Sequence, residues 1–355
     1  MSGNSKRNGA KTDIAIIGDR FMLSALFEEA LQAACGEAVT CRSLDLPWPD
    51  EPMEHGYQTP GMDGLKEYMG DPADVIAHVG PAPVLVTHLA PLSAAMFAAM
   101  PDLKLVAVSR GGPVNIDMGA AAEHGVTVVN TPGRNASAVA EFTIGAILAQ
   151  TRNITLGHDA LRRGEYRGDL YRADVTGEEL SELTVGIIGY GNVGSRVVPL
   201  LRAFGCRILV NDPYVQLSPE DAAAGVTMVD FDQVLAESDV LSLHPRVTEE
   251  TRGMMDATAF AAMKPGSIVV NTARGPLMDY DALYEALVSG HLRGAMLETF
   301  AIEPTPPDWP LLQLPNVTLT PHIAGASVKT VRIAAAKAAE EVRRWLRGEP
   351  PLNPC

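Results

Sequence analysis

Residues 184–198 read TVGIIGYGNVGSRVV, and the fold turns on how this stretch is parsed. A short apolar run ends at Gly189, glycines follow at Gly191 and Gly194, and the periodicity then changes. Beyond the glycines Val193, Val197, Leu200, Leu201 and Phe204 recur every three or four residues, the spacing of one helix face. The stretch is therefore strand, tight turn and helix, with G-x-G-x-x-G across the joint. The first glycine makes the turn, the second lets the backbone come against a pyrophosphate, and the third lets helix and strand pack. The helix N-terminus then faces the negative charge. A second strand, 207–210, ends in Asn211-Asp212, with Asp212 23 positions after Gly189. A carboxylate there accepts both ribose hydroxyls of NAD and repels the 2'-phosphate of NADP; its plainer role is to open the turn before Pro213. The motif in this context predicts NAD as cofactor, with Gly189, Gly191 and Asp212 among the residues that bind it.

A chain of 355 residues suits two domains, and its 46% apolar content comes in many short runs, as in globular sequence. Net charge is -15, from 43 acidic against 28 basic residues, which disfavours nucleic acid and anionic membrane as partners. Cys35, Cys41, Cys206 and Cys355 show neither metal-ligand spacing nor a disulfide pattern. They read as reduced, intracellular cysteines, and no metal site is expected. No stretch reaches 18 apolar residues, and no apolar region follows Lys6, Arg7 and Lys11. Neither a membrane span nor a signal peptide is expected, so the location predicted is cytoplasmic.

Around the motif the chain alternates strand and helix. Residues 13–18 (DIAIIG) predict a buried strand and 23–33 the helix after it. Residues 41–68, with Pro47, Pro49, Pro52 and Pro60, read as irregular and long for a connection, an insertion or a lid. Strand-like runs return at 73–76, 84–86 and 103–108. After the last come Ser109-Arg110-Gly111-Gly112, where adjacent glycines either expose N–H groups as an anion nest or form an ordinary loop. A short helix over 117–123 and a strand over 126–129 follow. Residues 136–161 predict one long helix, too apolar for a single exposed stripe, with part of it packing across a domain or subunit boundary. Residues 162–182 read as surface loop.

Past Asp212 the spacing predicts strands at 227–229, 239–243, 267–270, 294–297 and 317–319, the second ending in His244. Helices are predicted at 231–236, at 256–263 capped by Asp256, and from the cap Asp279 through Val288. The fold class is α/β, with two doubly wound parallel-sheet (Rossmann-like) domains. A closing helix at 328–346 returns to the first domain, so the nucleotide domain is an insertion. The expected division is 12–120 plus 326–350 for a substrate-binding domain and 121–325 for an NAD-binding domain, with hinges where the chain crosses.

Ligands of open parallel sheets sit beyond the C-terminal strand ends. Three polar residues fall there: Arg274, Glu303 and His322. A guanidinium at Arg274 suits a carboxylate clamp, although a surface salt bridge explains it equally well alone. His322 suits proton exchange near neutral pH or a structural role. Glu303, nineteen positions earlier, has no local spacing to His322, so any pairing is tertiary.

As an ordered set, these motifs resemble the D-isomer-specific 2-hydroxyacid dehydrogenase family, which includes phosphoglycerate, glycerate and D-lactate dehydrogenases. The resemblance runs from Asp13 to the final helix. Gly189-x-Gly191-x-x-Gly194 with Asp212 is similar to its cofactor signature, and Asn271-Thr272-Ala273-Arg274-Gly275 to the segment of its catalytic arginine. Ala301-Ile302-Glu303-Pro304 resembles the segment of its glutamate, and Thr320-Pro321-His322-Ile323-Ala324-Gly325 that of its histidine. The resemblance implies an NAD(H)-dependent oxidoreductase interconverting a small D-2-hydroxy acid and its 2-keto acid, usually a homodimer through the NAD-binding domain. It implies Arg274 on the substrate carboxylate, helped by N–H groups of Gly111 and Gly112, His322 as acid and base, and Glu303 holding His322. Cofactor contacts are implied at Asn192, Val193, His244, Thr272, Ala273 and Gly325.

The chain also departs from the family. Thr87-His88-Leu89-Ala90-Pro91 stands where an arginine and a serine or threonine commonly touch substrate, which makes His88 the expected contact. The 110–117 loop is about two residues shorter than in phosphoglycerate dehydrogenase-like members; Arg246 and Val247 replace a proline and a leucine, and Glu298 an aspartate. Lacking an arginine cluster, the chain is expected to take an unphosphorylated 2-keto acid with a hydroxyl or short polar tail, such as glyoxylate or hydroxypyruvate. The alternatives are a phosphoglycerate dehydrogenase, or an NAD(H)-sensing binding protein of the corepressor type. Formate dehydrogenases of this kind carry glutamine at the place of Glu303, which argues against formate.

Overall fold

The computed structural model describes residues 11–47, 61–62 and 64–355. The chain divides into two compact units, crossing from the first to the second at Arg134–Asn135 and back at Gly325–Ala326.

Unit 1 is built on a parallel sheet of β1 (Thr12–Gly18), β2 (Val39–Asp45), β3 (Val84–Thr87), β4 (Leu105–Val108) and β5 (Thr127–Val129). Its helices are α1 (Ser24–Cys35), α2 (Pro72–Val79), α3 (Ala94–Ala99) and α4 (Met118–Glu123). The strand order is β2-β1-β3-β4-β5. Because side chains alternate along a strand, β1 sends Ile14 and Ile16 to one face and Ala15 and Ile17 to the other. The second of these faces packs on α2, α3 and α4 through Val75, Val79, Phe97 and Ala121. The first packs on α1 through Phe27 and Leu31 and on a helix from the far end of the chain.

Two expectations for this unit are corrected. Residues 73–76 form no strand; they lie inside α2, where the Asp71 carboxylate caps the Ala73 N–H, Pro72 takes a first-turn position, and Val75 and Val79 are buried one turn apart. Residues 41–45 are not irregular but belong to the edge strand β2, whose polar alternation hid it. The remaining insertion or lid call falls largely on 48–60, outside the described residues. β5 pairs with β4, and the first compact unit runs through Arg134.

Unit 2 begins with α5 (Ala136–Thr151) and α6 (Ile154–Arg162). The expected single helix over 136–161 is broken at Asn153, which takes a left-handed φ of 53°. Then follow β6 (Thr184–Ile188), α7 (Gly194–Arg202), β7 (Arg207–Asn211), α8 (Pro219–Ala223), β8 (Thr227–Met228), α9 (Phe231–Glu237) and β9 (Val240–Leu243). The unit closes with α10 (Ala257–Ala262), β10 (Ile268–Asn271), α11 (Tyr280–Val288), β11 (Gly294–Leu297) and β12 (Val317–Leu319). All neighbours are parallel, in the order β12-β11-β10-β9-β6-β7-β8. Helices α9, α10 and α11 start at aspartate caps, Asp230, Asp256 and Asp279, whose carboxylates accept the first orphan N–H groups. The short α8, unexpected from the sequence, is capped by Ser218.

Much of the apolar α5 packs inside its own unit. Ala140, Ala146 and Ile147 pack with Val185, Val197 and Val270, while Gln150 Nε2 donates to the Ala295 carbonyl at 2.6 Å. The exposed apolar side chains come after it, at Ile154, Leu161, Tyr166 and Tyr171.

After Ala326 the chain rejoins unit 1 as α12 (Val328–Leu346). Val331, Ala334, Ala335, Ala338 and Val342, spaced three and four apart, give it a small-residue face that lies close on α1 and the sheet. Buried Glu341 accepts the N–H groups of Leu352 and Asn353 and so folds the last residues back, where Cys355 donates to the Val128 carbonyl.

Candidate functional site

In unit 2 the strand order reverses between β6 and β9, and the glycine turn stands there. Gly189 leaves β6 with a φ of +89°, and a Cβ on it would lie 2.8 Å from the backbone of His244. Only glycine can turn so tightly against the end of β9. At Gly194 a Cβ would fall 2.0 Å from the Gly189 carbonyl oxygen, which is why α7 can start directly on the turn. At Gly191 it would meet nothing within 4 Å. That open side is the room a pyrophosphate needs, and it lies beside exposed Asn192 and the α7 N-cap residue Val193.

Asp212 takes the turn-forming part its sequence allows and also holds the glycine turn. One carboxylate oxygen accepts the Tyr190 N–H of the glycine turn at 2.7 Å. The other accepts the N–H groups of Tyr214 and Val215, at 2.9 and 3.1 Å, and shapes the turn after β7. The carboxylate is thereby fixed next to the glycine loop. The Tyr190 hydroxyl donates to buried Asp221, which also takes Arg202 at 2.9 Å, so the loop is staked by side chain as well. On the other side of the turn, burial pushes the His244 pKa down to about 3, leaving an uncharged ring 3.0 Å from the Ser242 hydroxyl.

The polar trio gathers at the ends of β10, β11 and β12. The Asn271 side chain clips the turn after β10, accepting the Ala273 N–H and donating to the Arg274 carbonyl, both at 3.0 Å. Thr272 is tied to Thr143 of α5 at 2.8 Å. Arg274 is exposed, and among the described residues no carboxylate lies within ion-pair distance of it. A Cβ on Gly275 would fall 1.9 Å from the Phe300 carbonyl carbon, so the arginine turn touches the backbone of the Glu303 loop. Glu303 accepts the Phe300 N–H at 2.7 Å with one oxygen and meets His322 Nδ1 at 2.8 Å with the other. His322 itself sits at a φ of +54°, held there by its N–H bond to the Glu298 carbonyl at 2.9 Å. The Glu298 side chain, buried at the end of β11, accepts the Ala324 N–H at 2.7 Å. Burial raises the Glu298 pKa to about 7, with the Ala324 N–H and His322 pulling the other way. Gly325, the last residue of the unit, lies against the first: a Cβ on it would be 2.6 Å from Asn135 Nδ2.

Unit 1 has its own strand-end cluster. Its strand order reverses between β1 and β3, and the next residues of those strands, Asp19 and His88, meet across that point. Asp19 accepts the N–H groups of Phe21 and Met22 at 2.8 Å with one oxygen and lies 2.7 Å from His88 Nδ1 with the other. His88 Nε2 is 3.2 Å from Nη2 of Arg134. An arginine can only donate, so Nε2 accepts and the ring proton sits on Nδ1, toward Asp19. Burial, helped by Arg134 and opposed by Asp19, lowers the His88 pKa and keeps the ring neutral. His88 thus stands at a strand end as the sequence placed it, with both nitrogens engaged inside the unit. Gly111 and Gly112 are exposed, a Cβ on either would meet nothing within 4 Å, and neither N–H donates to an acceptor among the described residues. Arg110 beside them is ion-paired with Glu67. Asp19 and Arg134 escaped the sequence reading: the first follows an apolar run and was open to the strand-end rule, while the second carries no local signal.

A glycine turn at the switch point of a seven-stranded parallel sheet, with a carboxylate–imidazole pair and an arginine at neighbouring strand ends, defines a dinucleotide-dependent dehydrogenase. Comparison with known proteins agrees. Residues 144–324 match the family model described as D-isomer specific 2-hydroxyacid dehydrogenase, NAD binding domain. A D-3-phosphoglycerate dehydrogenase of Mycobacterium leprae is 39% identical over 75% of this chain and 49% of its own. The chain therefore spans about half the length of that relative. A glyoxylate reductase of Korarchaeum cryptofilum is 37% identical over 79% of this chain and 84% of its own. Among solved structures, D-2-hydroxyisocaproate dehydrogenase superposes with a TM-score of 0.79 at 26% identity, covering 97% of this chain and 99% of that one. The chain belongs to the D-isomer specific 2-hydroxyacid dehydrogenase family and is an NAD-dependent enzyme of that class. No helix is long and apolar enough to cross a membrane, and no group of three potential ligands is placed for a metal ion, both among the described residues.

Proposed function

We propose that the protein interconverts a small, unphosphorylated D-2-hydroxy acid and its 2-keto acid, with hydroxypyruvate and glyoxylate as the first substrates to test. The observation that carries this reading is the Glu303–His322 pair at 2.8 Å on a turn held at positive φ. Such a backbone is retained where its surroundings over-determine it, and here Glu298 does so from the neighbouring strand. With Nδ1 turned to Glu303, proton exchange with the substrate's C2 oxygen belongs to Nε2. Arg274, exposed and without a carboxylate partner among the described residues, takes the substrate carboxylate through its paired N–H groups. In unit 1 we assign the N–H groups of Gly111 and Gly112 as further donors to substrate.

NAD, held by Gly189, Gly191, Asn192, Val193 and Asp212 with His244, Thr272, Ala273 and Gly325 around it, supplies the hydride chemistry when bound. The chain's own contribution is to position the acid, fix the imidazole tautomer and move one proton. The match to a glyoxylate reductase over most of both chains supports a short substrate. We assign a cytoplasmic homodimer formed through unit 2, on the exposed Ile154, Leu161, Tyr166 and Tyr171. Sedimentation velocity tests it, and a monomer at micromolar concentration refutes it.

An NADH-oxidation screen over 2-keto acids tests the function. Turnover of hydroxypyruvate or glyoxylate is expected; binding of NADH without turnover of any 2-keto acid would replace the enzyme reading with a sensor.

A further inference from the structure

The Asp19–His88–Arg134 cluster has no part in the proton or hydride chemistry assigned above, yet it occupies the place in unit 1 where open parallel sheets bind ligands. Asp19 follows β1 and His88 follows β3, the two strands between which the order reverses. Arg134 reaches them from beyond β5 and is fixed on three sides. Nη2 donates to His88 Nε2 at 3.2 Å, Nη1 points at Met22 Sδ at 3.9 Å, and the guanidinium lies over the Phe21 ring at 5.7 Å from its centroid.

Two features set this arginine apart from an ordinary structural one. First, its charge is not directly paired: among the described residues no carboxylate oxygen lies within 4.0 Å of it, and Asp19 is separated from it by the width of an imidazole. A largely buried guanidinium without a partner is costly, and burial lowers its pKa to about 10. Second, among the described residues its contacts use at most two of five N–H donors. His88 cannot serve a ligand instead, because one nitrogen gives its proton to Asp19 and the other accepts from Arg134. The cluster thus has the form of an aimed donor with N–H groups beyond those its own contacts use. Asp19, acting across His88, offsets part of its charge, so a hydroxyl or a single carboxylate matches it better than a dianion.

We infer that Arg134 is the group of unit 1 that binds the oxygen-bearing tail of the substrate, held in aim by Asp19 and His88, so that the enzyme selects 2-keto acids with a hydroxyl or carboxylate on C3. This assignment rests on the 2-keto acid reading above and adds to it the residue and the tail chemistry.

Hydroxypyruvate and 2-ketobutyrate differ only in a hydroxyl for a methyl. The parent enzyme should favour the first in kcat/KM by about 10-fold or more, the usual scale for a hydrogen bond to a charged group. In Arg134→Met the preference should fall to within about 2-fold, as no charged donor remains for the tail oxygen. Should that variant fail to fold by circular dichroism, Arg134→Lys carries the test, since it keeps the charge but loses the fork and should cut the preference several-fold. A parent without preference for the hydroxyl, or a preference that survives in the variant, overturns the role of Arg134 while leaving the 2-keto acid reading intact. A parent that turns over no 2-keto acid overturns both.

Discussion

Glu298 grips the His322 turn from both sides: its carbonyl accepts the His322 N–H at 2.9 Å and its carboxyl accepts the Ala324 N–H at 2.7 Å. One residue at the end of β11 therefore fixes where the proposed proton donor stands, acting through the backbone of its turn. The pair also explains why the histidine tolerates a left-handed backbone that glycine would ordinarily take. Glu303 then sets the ring's rotation from a different loop.

This arrangement has a pH signature in stability. The Glu298 pKa is raised to about 7 in the folded protein, against an ordinary value near 4.5. Between those values the folded state keeps a proton that the unfolded chain has lost. The contribution is therefore full below about pH 4.5 and disappears as pH rises through about 7. Glu298→Gln keeps the acceptor for Ala324 and removes the titration. Its unfolding free energy relative to the parent should rise by about 2 kcal/mol from pH 5 to pH 8, from about 1.4 kcal/mol per pK unit. Urea melts at the two pH values measure it, and parallel curves would mean that Glu298 is ionised throughout.

His322→Ala should lower turnover by about 100-fold or more, the scale of a lost acid–base group, and leave NADH binding nearly intact by fluorescence titration. Glu303→Gln keeps the acceptor for the Phe300 N–H but turns an amide NH2 toward Nδ1, which forces the opposite tautomer. A loss of about 10-fold or more in turnover is expected there too. Activity within a few-fold of the parent for either variant would remove that residue from the mechanism.

Much of this site was legible because it lies where local rules operate. The glycine turn announces itself by a change of period, α12 by its small-residue stripe, and Arg274 and His322 by following short apolar runs. What escaped depends on partners distant in sequence. β2 carries polar side chains because it is an edge, so its strand character comes from its pairing with β1. Residues 73–76 contain Val75 and Ile76 and mimic a strand in a four-residue window, whereas Asp71 and Pro72 just outside that window determine the helix. The apolar residues of α5 pack in part on its own sheet and α7, which the sequence does not specify. The contacts Glu303–His322 and Asp19–His88–Arg134 span 19 to 69 positions, and no periodicity encodes them.

Cofactor choice should follow Asp212. The parent is expected to prefer NADH, because the carboxylate anchored to the glycine turn would face the 2'-phosphate of NADPH. Asp212→Ala should erode that preference mainly by weakening NADH. The three backbone N–H groups it releases, of Tyr190, Tyr214 and Val215, should add a stability loss of about 1–2 kcal/mol. Equal kcat/KM for the two cofactors in the parent would place the ribose contact elsewhere.

The last prediction separates a bare 2-keto acid from a phosphorylated one. A phosphate dianion is ordinarily met by several cations making charge-assisted bonds. At the strand ends of unit 1 the cations do not form a cluster: Arg110 is ion-paired with Glu67, which leaves Arg134 as a single cation whose charge Asp19 opposes through His88. In unit 2 Arg246 is exposed, on a loop whose turn is closed by Thr251 donating to the Arg246 carbonyl at 2.6 Å. Unless Arg246 reaches the substrate, a phosphate dianion meets Arg134 alone, which suits a hydroxyl or a single carboxylate better. Steady-state kcat/KM should therefore rank hydroxypyruvate above 3-phosphohydroxypyruvate by about 10-fold or more, one unpaired charge contact being of that order. A clear advantage for the phosphorylated compound, lost in Arg246→Ala, would reverse the ranking and make Arg246 the phosphate anchor of a phosphoglycerate dehydrogenase.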